Sequence, residues 1–377
     1  MMNDFLFEYS KILAAIGEDD YSDNFDPESL GFEYHSPNTL KSTVKVCLQR
    51  LGIRIGRNRT VPQTPDNNYM LKGLEFARPH LEHLSWIYSR LGDDESRELL
   101  VLLTAYRAVG YRKIKLPLSN PDYWSLKRRI ASLPHGSEEI DVNFHGWKLH
   151  RRDLRALGYP IDVFSSKYAF METFVQQQYR CLLANGSIEC SVGDVVIDAG
   201  GCYGDTALYF AEKTGPTGKV VVFEFLPDNL KILYRNLDLN PDLKPRIQVL
   251  ERPVWSESNQ ELFIHGNGPA AVVSSVASPD NSESVRTMRI DEIVETKKLD
   301  KVDFIKMDIE GAEPEALKGA ETVIKQFAPK LAITVYHSFS HFWELPHLIH
   351  NFNSDYKFYL RHFTIHAGES VLFAAVE

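Results

Sequence analysis

Hydrophobic and polar positions change their period near the middle of the chain. In the first half the apolar residues recur at helical spacing. Phe5-Leu6-Phe7 through Ile12-Leu13-Ala14-Ala15-Ile16 fits an amphipathic helix, followed by an acidic loop. Leu40, Val44, Leu48 and Leu51 predict a second helix over residues 40–52, and the Pro/Asn-rich stretch 61–68 breaks the pattern. Leu81, Leu84, Ile87 and Leu91 predict a third. Asp93-Asp94-Glu95 places acids where a helix N-terminus favours them, and that helix continues through Leu99, Leu100, Leu103 and Ala108.

After Gly193 short β-branched runs take over. Residues 194–198, 219–225, 246–251, 302–308 and 330–336 read as strands. Helical stretches lie between them at 206–213, from Pro227 through Leu230, Leu233, Tyr234 and Leu237, and at 312–325. Such alternation predicts a parallel sheet with helices on both faces. The tail, residues 356–360 and 370–375, has no helical stretch between its two runs and reads as an antiparallel hairpin closing one edge. The expected fold is therefore α/β and Rossmann-like: a mostly parallel sheet with an antiparallel C-terminal edge hairpin, behind a mainly helical N-terminal region. The expected division is 1–150 for the helical region and 151–377 for the sheet, with its core at 183–377. The helical region is expected to cover the site or to serve as an interaction module.

Composition narrows the classes. Of 377 residues, 44% are hydrophobic and 25% charged, which is ordinary globular usage. The net charge is −9, but residues 1–30 carry eight acids against Lys11 and so hold −7 of it. The near-neutral remainder gives no electrostatic case for nucleic acid. Four scattered cysteines, Cys47, Cys181, Cys190 and Cys202, make no disulfide framework or zinc knuckle, and a reducing, cytoplasmic setting is the expectation. The acidic start has no basic n-region, and no apolar stretch approaches the ~18 residues of a membrane span. Arg50, Arg54, Arg57 and Arg59 read as a solvated helix end, with contact to a phosphate-bearing or membrane-linked ligand as the sharper alternative.

Chemistry concentrates in two places. In Val195-Val-Ile-Asp198-Ala-Gly200-Gly201-Cys202-Tyr203-Gly204-Asp205-Thr206, a strand turns into a helix through three glycines, so a ligand can approach the backbone at a helix N-terminus. A dinucleotide fingerprint would need glycine where Ala199 stands, and Asp198 would face a pyrophosphate with its own negative charge. An ammonium-bearing ligand suits that acid better. Glu224, ending the second strand beside Phe225, is placed to accept hydrogen bonds from ribose hydroxyls, which specifies a nucleoside without saying which. Asp205 fits a helix cap equally well, and Cys202 reads as small filler. The second place is Asp303-Phe-Ile-Lys-Met-Asp308-Ile-Glu310-Gly-Ala-Glu313, three carboxylates at the carboxyl end of a central strand, where open α/β sheets carry their sites. Glu313 and Glu315 suit a helix N-terminus; Asp308 and Glu310 precede it.

These runs, with Lys306-Met-Asp308-Ile-Glu310-Gly-Ala-Glu313 and Val335-Tyr-His337, resemble the FkbM family of S-adenosylmethionine-dependent methyltransferases. Arg286-Thr-Met-Arg-Ile-Asp291 resembles that family's threonine-leucine-aspartate element with Met and Ile substituted, and Tyr359-Leu-Arg-His362 resembles a branch of it. Glu95-Ser-Arg-Glu-Leu-Leu and Lys113-Ile-Lys-Leu-Pro are similar to leader segments of related proteins. The resemblance covers about residues 183–377. It implies a class I methyltransferase sheet and methyl transfer, usually to oxygen, on a natural-product, sugar or glycan-like acceptor.

On this basis the expected cofactor is S-adenosylmethionine, held by Asp198, Gly200, Gly201, Tyr203, Gly204, Asp205, Thr206, Glu224, Phe225 and Asp308. His337, just past a strand end, and Asp308 are the candidate catalytic residues, although His341, His347, His350, His362 and His366 compete by number. Asp308 with Glu310 would suit Mg²⁺ as hard ligands, but no spacing is diagnostic and a metal is not the favoured expectation. A homodimer is compatible with the sequence, which does not fix the oligomeric state. Two other classes stay open: an NAD-type oxidoreductase, against which Ala199 and Asp198 speak, and a catalytically silent nucleoside-binding or assembly module.

Overall fold

The structure is a computed structural model that describes residues 2–17, 20, 21, 24–26, 69–142, 144, 146–277, 283–297 and 299–376. Its centre is a seven-stranded sheet of β1 (Val195–Ala199), β2 (Lys219–Phe223), β3 (Ile247–Leu250), β4 (Phe304–Met307), β5 (Lys330–Thr334), β6 (Lys357–His362) and β7 (Ser370–Ala375). Across the sheet the order is β3-β2-β1-β4-β5-β7-β6. Strands β1 to β5 pair in parallel, while β7 runs antiparallel to both β5 and β6. This is the mostly parallel sheet with an antiparallel C-terminal hairpin that the sequence pattern predicts. Every residue of β1 is buried, as a strand covered on both faces requires.

The two faces are covered differently. Helices α1 (Met2–Ala14), α2 (Tyr69–Ala77), α3 (Leu81–Tyr88) and α4 (Asp94–Val109) bring Phe5, Tyr9, Leu84, Leu99 and Leu103 into one apolar cluster with Ile197, Ile305, Ile333 and Leu372 of the sheet. On the opposite face, Val196, Val220, Phe304 and Ala332 pack with residues 159–174 and with α5 (Pro121–Ala131) through Tyr123 and Ile130. The alternation of Val196 and Ile197 between the clusters is the period-2 rule at work. The N-terminal helices therefore complete the sheet's own core.

A polar clasp fixes them. Asp93 caps α4 by accepting from the Ser96 backbone N–H, and its carboxylate also pairs with Arg361 of β6 at 2.7 Å. Ser96 Oγ accepts from Leu360 N–H at 2.9 Å, and Gly92 N–H donates to Phe358 O at 2.7 Å. Thus the Glu95 and Tyr359 segments, which resemble known relatives separately, meet across the fold.

Around the sheet run α6 (Asp205–Thr214), α7 (Pro227–Asp238), α8 (Glu313–Lys318), α9 (Glu321–Phe327) and α10 (His341–Phe352). The single helix expected over 312–325 is two, α8 and α9. They part at Gly319, where a Cβ would stand 2.0 Å from the Trp255 carbonyl oxygen. Asp291 accepts from the Thr322 and Val323 backbone N–H groups and so caps α9.

Helices α2, α5 and α10 and the helix Ile290–Lys297 were not foreseen, nor were three small antiparallel sheets, one of them the hairpin of Cys181–Leu183 and Gly186–Ile188. Another joins Glu139–Asp141, Lys148–Asp153 and Asp162–Ser165, so the expected limit at residue 150 falls inside a strand. That strand is Lys-Leu-His-Arg-Arg-Asp, with Leu149 as its one apolar residue, and so gives almost no alternation signal. The third sheet joins Glu261–His265, Val272–Ser274 and Ser284–Arg286. The expected helix at 40–52, the stretch 61–68, the arginines 50, 54, 57 and 59, and Cys47 lie outside the described residues. Among the described residues no helix is long and apolar enough to cross a membrane.

Candidate active site

The carboxyl ends of β1, β2, β4 and β5 converge on one rim of the sheet. Where β1 ends, the Gly200 and Gly201 N–H groups both donate to Phe223 O of β2, at 3.1 and 2.9 Å. Gly200 has φ +89°, and a Cβ there would lie 1.9 Å from the Asp308 carbonyl oxygen. Only glycine permits this approach of β1 and β4. Cys202 (φ +42°) and Gly204 (φ +83°) keep the loop in left-handed backbone up to the start of α6.

Beneath the loop lies a buried ion pair. Asp198 is wholly inaccessible; Lys306 Nζ stands 3.0 Å from one oxygen and Thr206 Oγ1 donates to the other at 2.7 Å. Lys306 also donates to Gly200 O at 2.7 Å and to Ala199 O at 3.3 Å. Burial opposes the Lys306 charge, but Asp198 and Asp308 outweigh it and hold the ammonium pKa above its ordinary value. Asp198 thus fixes the loop from below through Lys306, instead of presenting a free carboxylate to a ligand. Lys306 was not singled out from the sequence.

Above the loop opens a cleft at the carboxyl ends of β1, β2 and β4. Gly200, Cys202, Glu224, Phe225, Asp308 and Glu310 all border it, and Gly268, Pro269, Ala271 and Val273, from the segment after β3, add a wall. Glu224 Oε1 accepts from the Phe225 and Leu226 backbone N–H groups at 2.6 and 2.8 Å, and Oε2 accepts from Asn229 Nδ2 at 3.2 Å. The Cys202 backbone N–H also points at this carboxylate, so a ligand hydroxyl would share an oxygen that already accepts from the protein. Burial raises the Glu224 pKa, against those backbone bonds. The Cys202 thiol is raised well above its usual value by burial and Glu224, so it is no thiolate nucleophile.

On the far side of Asp308 the polar groups crowd together. Tyr179 Oη donates to Asp308 Oδ2 at 3.1 Å, while Tyr336 Oη and Thr334 Oγ1 each lie 3.3 Å from Oδ1. His337 Nδ1 lies 2.9 Å from Glu313 Oε1, and its Nε2 lies 3.6 Å from both Asp308 Oδ1 and Glu310 Oε2. Burial would lower the His337 pKa, but Glu310 and Glu313 outweigh it and raise it well above the ordinary histidine value. Glu310 has φ +55°, left-handed backbone of the kind that clusters at functional sites. Further in, burial and Asp308 push Glu369 up to about 7, and burial and Glu369 raise Glu172 as well.

Of the residues expected to hold a cofactor, Gly200, Glu224, Phe225 and Asp308 border the cleft. Asp198, Thr206, Gly201 and Gly204 shape the loop instead. A Gly201 Cβ would meet Val222 Cγ1 at 2.1 Å, and Gly204 precedes α6. Tyr203 turns away to pack with Leu149, Phe164 and Ile232. Asp205 opens α6 without a side-chain cap across Gly204, and burial raises its pKa to about 6. Asp308 and His337 are brought together as expected. Tyr179, Tyr336 and Glu369 were missed, since only the fold brings residues this far apart in sequence to one place. Arg107 of α4 was missed too; its Nη2 donates to Tyr336 O at 3.3 Å and Ala367 O at 3.2 Å, tying the N-terminal helices to the loop that carries His337.

Comparison with known proteins agrees with this geometry. Residues 198–360 match the family described as the methyltransferase FkbM domain, a span running from Asp198 through the His337 loop into β6. The chain carries an FkbM methyltransferase domain. A hexuronic acid methyltransferase, AglP, from Haloferax volcanii is 28% identical over 137 residues, 36% of this chain. The aligned part is 54% of that relative, so the chain spans about half the length of the curated protein it matches. The solved methyltransferase FkbM from Methylobacillus flagellatus KT superposes with a TM-score of 0.51 at 20% identity, covering 90% of this chain and 71% of that one. This likeness, which covers 90% of the chain, supports the class I methyltransferase fold of the sheet.

Proposed function

We propose that this chain is an S-adenosylmethionine-dependent methyltransferase that methylates a hydroxyl oxygen on a sugar or glycan-like acceptor. The observation that carries the proposal is the shared border at Asp308. One side of that residue faces the cleft that Glu224 and the Gly200 loop border, and the other faces the buried group of His337, Tyr179 and Tyr336. The FkbM domain supports the methyl donor, and the name of the Haloferax relative supports a sugar acid as the kind of acceptor.

When bound, the sulfonium supplies a methyl carbon open to in-line attack. The protein's part is placement. Glu224 Oε2 holds a ribose hydroxyl, Phe225 packs beside the nucleoside, and the Lys306–Asp198 pair keeps the Gly200 loop rigid beneath it. An acceptor oxygen placed beside Asp308 donates a lone pair to form the new C–O bond. The C–S bonding pair stays on sulfur, leaving a neutral thioether. The hydroxyl proton becomes strongly acidic as the bond forms, so it passes to Asp308, whose cluster opens to solvent through Glu310. Glu310 and Glu313 raise the His337 pKa well above its ordinary value. The imidazole therefore acts here as an electrostatic and positioning partner, and the base assignment moves to Asp308.

Two assays test this. The full chain is incubated with methyl-labelled S-adenosylmethionine and a panel of hexuronic acids, hexoses and short glycans. Label transfer to oxygen that falls about 10²–10⁴-fold in Asp308→Asn is expected, the usual scale for a lost proton acceptor. Donor binding without transfer to any acceptor would favour a silent nucleoside-binding module, and binding of NAD in place of the donor would overturn the proposal.

A further inference from the structure

We infer that Asp308 and His337 form the core of a divalent-cation site beside the cleft, with Glu310 at its rim and Glu313 holding the imidazole. The inference rests on the methyltransferase reading only for the ion's task, not for its binding. Asp308, Glu313 and His337 each offer a ligand atom within 4.8 Å of the others. The independent observation is an orphaned nitrogen. The His337 side chain is 8% exposed, and its Nε2 is buried without a hydrogen-bond partner. That atom faces Asp308 Oδ1 and Glu310 Oε2 at 3.6 Å each, too far for a hydrogen bond. Ligand atoms that share one ion, at about 2.0–2.2 Å from it, stand off from one another in this way.

Meanwhile Nδ1 is committed to Glu313 Oε1 at 2.9 Å. That is the carboxylate–histidine arrangement which fixes the ring and turns Nε2 toward a metal. Charge points the same way. Three carboxylates surround one imidazole, leaving a formal −2 even when the ring is protonated. The described cations nearby are spent elsewhere, Lys306 on Asp198 and Arg107 on the Tyr336 and Ala367 carbonyls. A mixed imidazole and carboxylate set suits Mn²⁺ and its neighbours better than Ca²⁺. An ion here takes the place of the Nε2 proton, which is released to solvent. Such an ion would hold the acceptor hydroxyl against the cleft and acidify it as a Lewis acid, the proton passing to solvent.

The test uses the full chain stripped with EDTA and titrated with Mn²⁺, free ion being read by electron paramagnetic resonance. One saturable site per chain is expected. Asp308→Asn and His337→Ala should each weaken it at least tenfold, and Glu313→Gln by about 10–100-fold, as for a lost orienting partner. If a variant does not fold, paramagnetic broadening in the wild-type chain decides; the His337 imidazole resonance should be bleached first. No saturable Mn²⁺ site, affinity unchanged in both ligand variants, or broadening that spares His337 would overturn the inference. Donor affinity is measured separately in EDTA. Its absence would overturn the methyltransferase reading while leaving the cation site standing.

Discussion

Replacing Glu224 with glutamine separates ligand binding from folding at the second strand end. Oε1 of Glu224 satisfies two backbone donors, Phe225 N–H and Leu226 N–H, while Oε2 meets Asn229 and borders the cleft. Alanine would orphan both backbone donors at about 1–3 kcal/mol each. That loss of roughly 2–6 kcal/mol is a large share of a typical 5–15 kcal/mol total, so Glu224→Ala confounds unfolding with lost affinity. Glutamine keeps a carbonyl oxygen for the two N–H groups and turns Oε2 into a donor, which Asn229 can meet by flipping its amide. What is lost is the acceptor for one ribose hydroxyl, a hydrogen bond to a charged group worth about 1.5–3 kcal/mol. Donor affinity in Glu224→Gln should therefore fall roughly 10- to 150-fold. Calorimetric titration with S-adenosylmethionine reads the affinity, and thermal melting confirms that the variant is folded. Wild-type affinity in a folded Glu224→Gln chain would refute the role of Oε2.

Other outcomes follow from the same geometry. Gly200→Ala must move a backbone whose carbonyl lies 1.9 Å from the new Cβ, at φ +89°; strain of about 1–3 kcal/mol should cost roughly 5- to 150-fold in donor affinity, and unchanged binding would remove the close-approach explanation. Arg107→Leu frees the carbonyls of Tyr336 and Ala367; turnover should fall about tenfold or more at unchanged donor affinity, since roughly 1.5–3 kcal/mol of restraint on the His337 loop is lost. Burial lowers His362 to about 3 and His366 to about 4, so both are neutral in the folded protein. Their unfolded forms titrate near 6.5, so this stabilisation is complete above that pH and declines toward the folded values, by ~2 kcal/mol each at pH 5. Melting temperature should drop between pH 7 and 5, with a smaller drop in His362→Gln. A pH-independent melt would contradict the burial of both rings. Asp93, held below its ordinary value by Arg361 and Ser96 in spite of burial, adds stability that is lost as pH falls through its lowered value; Asp93→Asn should flatten the acid limb of the same melt.

Much of the sheet was legible because its strands are short β-branched runs between helical stretches, and that pattern survives any tertiary context. The glycine loop was legible for a different reason. Three glycines after an acid mark places where a side chain would collide, and a Cβ at Gly200 or Gly201 would indeed stand within 2.1 Å of a backbone or strand atom. The roles inside that loop were less legible. Asp198 suggested a free acid, but its partner Lys306 sits on another strand, in register across β1 and β4, and nothing local announces a buried ion pair. Likewise the sequence places His337 just past a strand end, but nothing local announces the Glu310 and Glu313 carboxylates that raise its pKa. The N-terminal helices illustrate a third limit. Their amphipathic period shows that they bury one face, but not that the face belongs to the methyltransferase sheet, with Phe5 and Leu84 in the same cluster as Ile305.

The most direct measurement is a calorimetric titration of the full chain with S-adenosylmethionine and, in parallel, with NAD. One donor bound per chain, no response to NAD, and loss of donor binding in Gly200→Ala are the results expected of a cleft built on the Gly200 loop and Glu224. Saturable NAD binding, or donor binding that ignores both Gly200→Ala and Glu224→Gln, would contradict the assignment of that cleft.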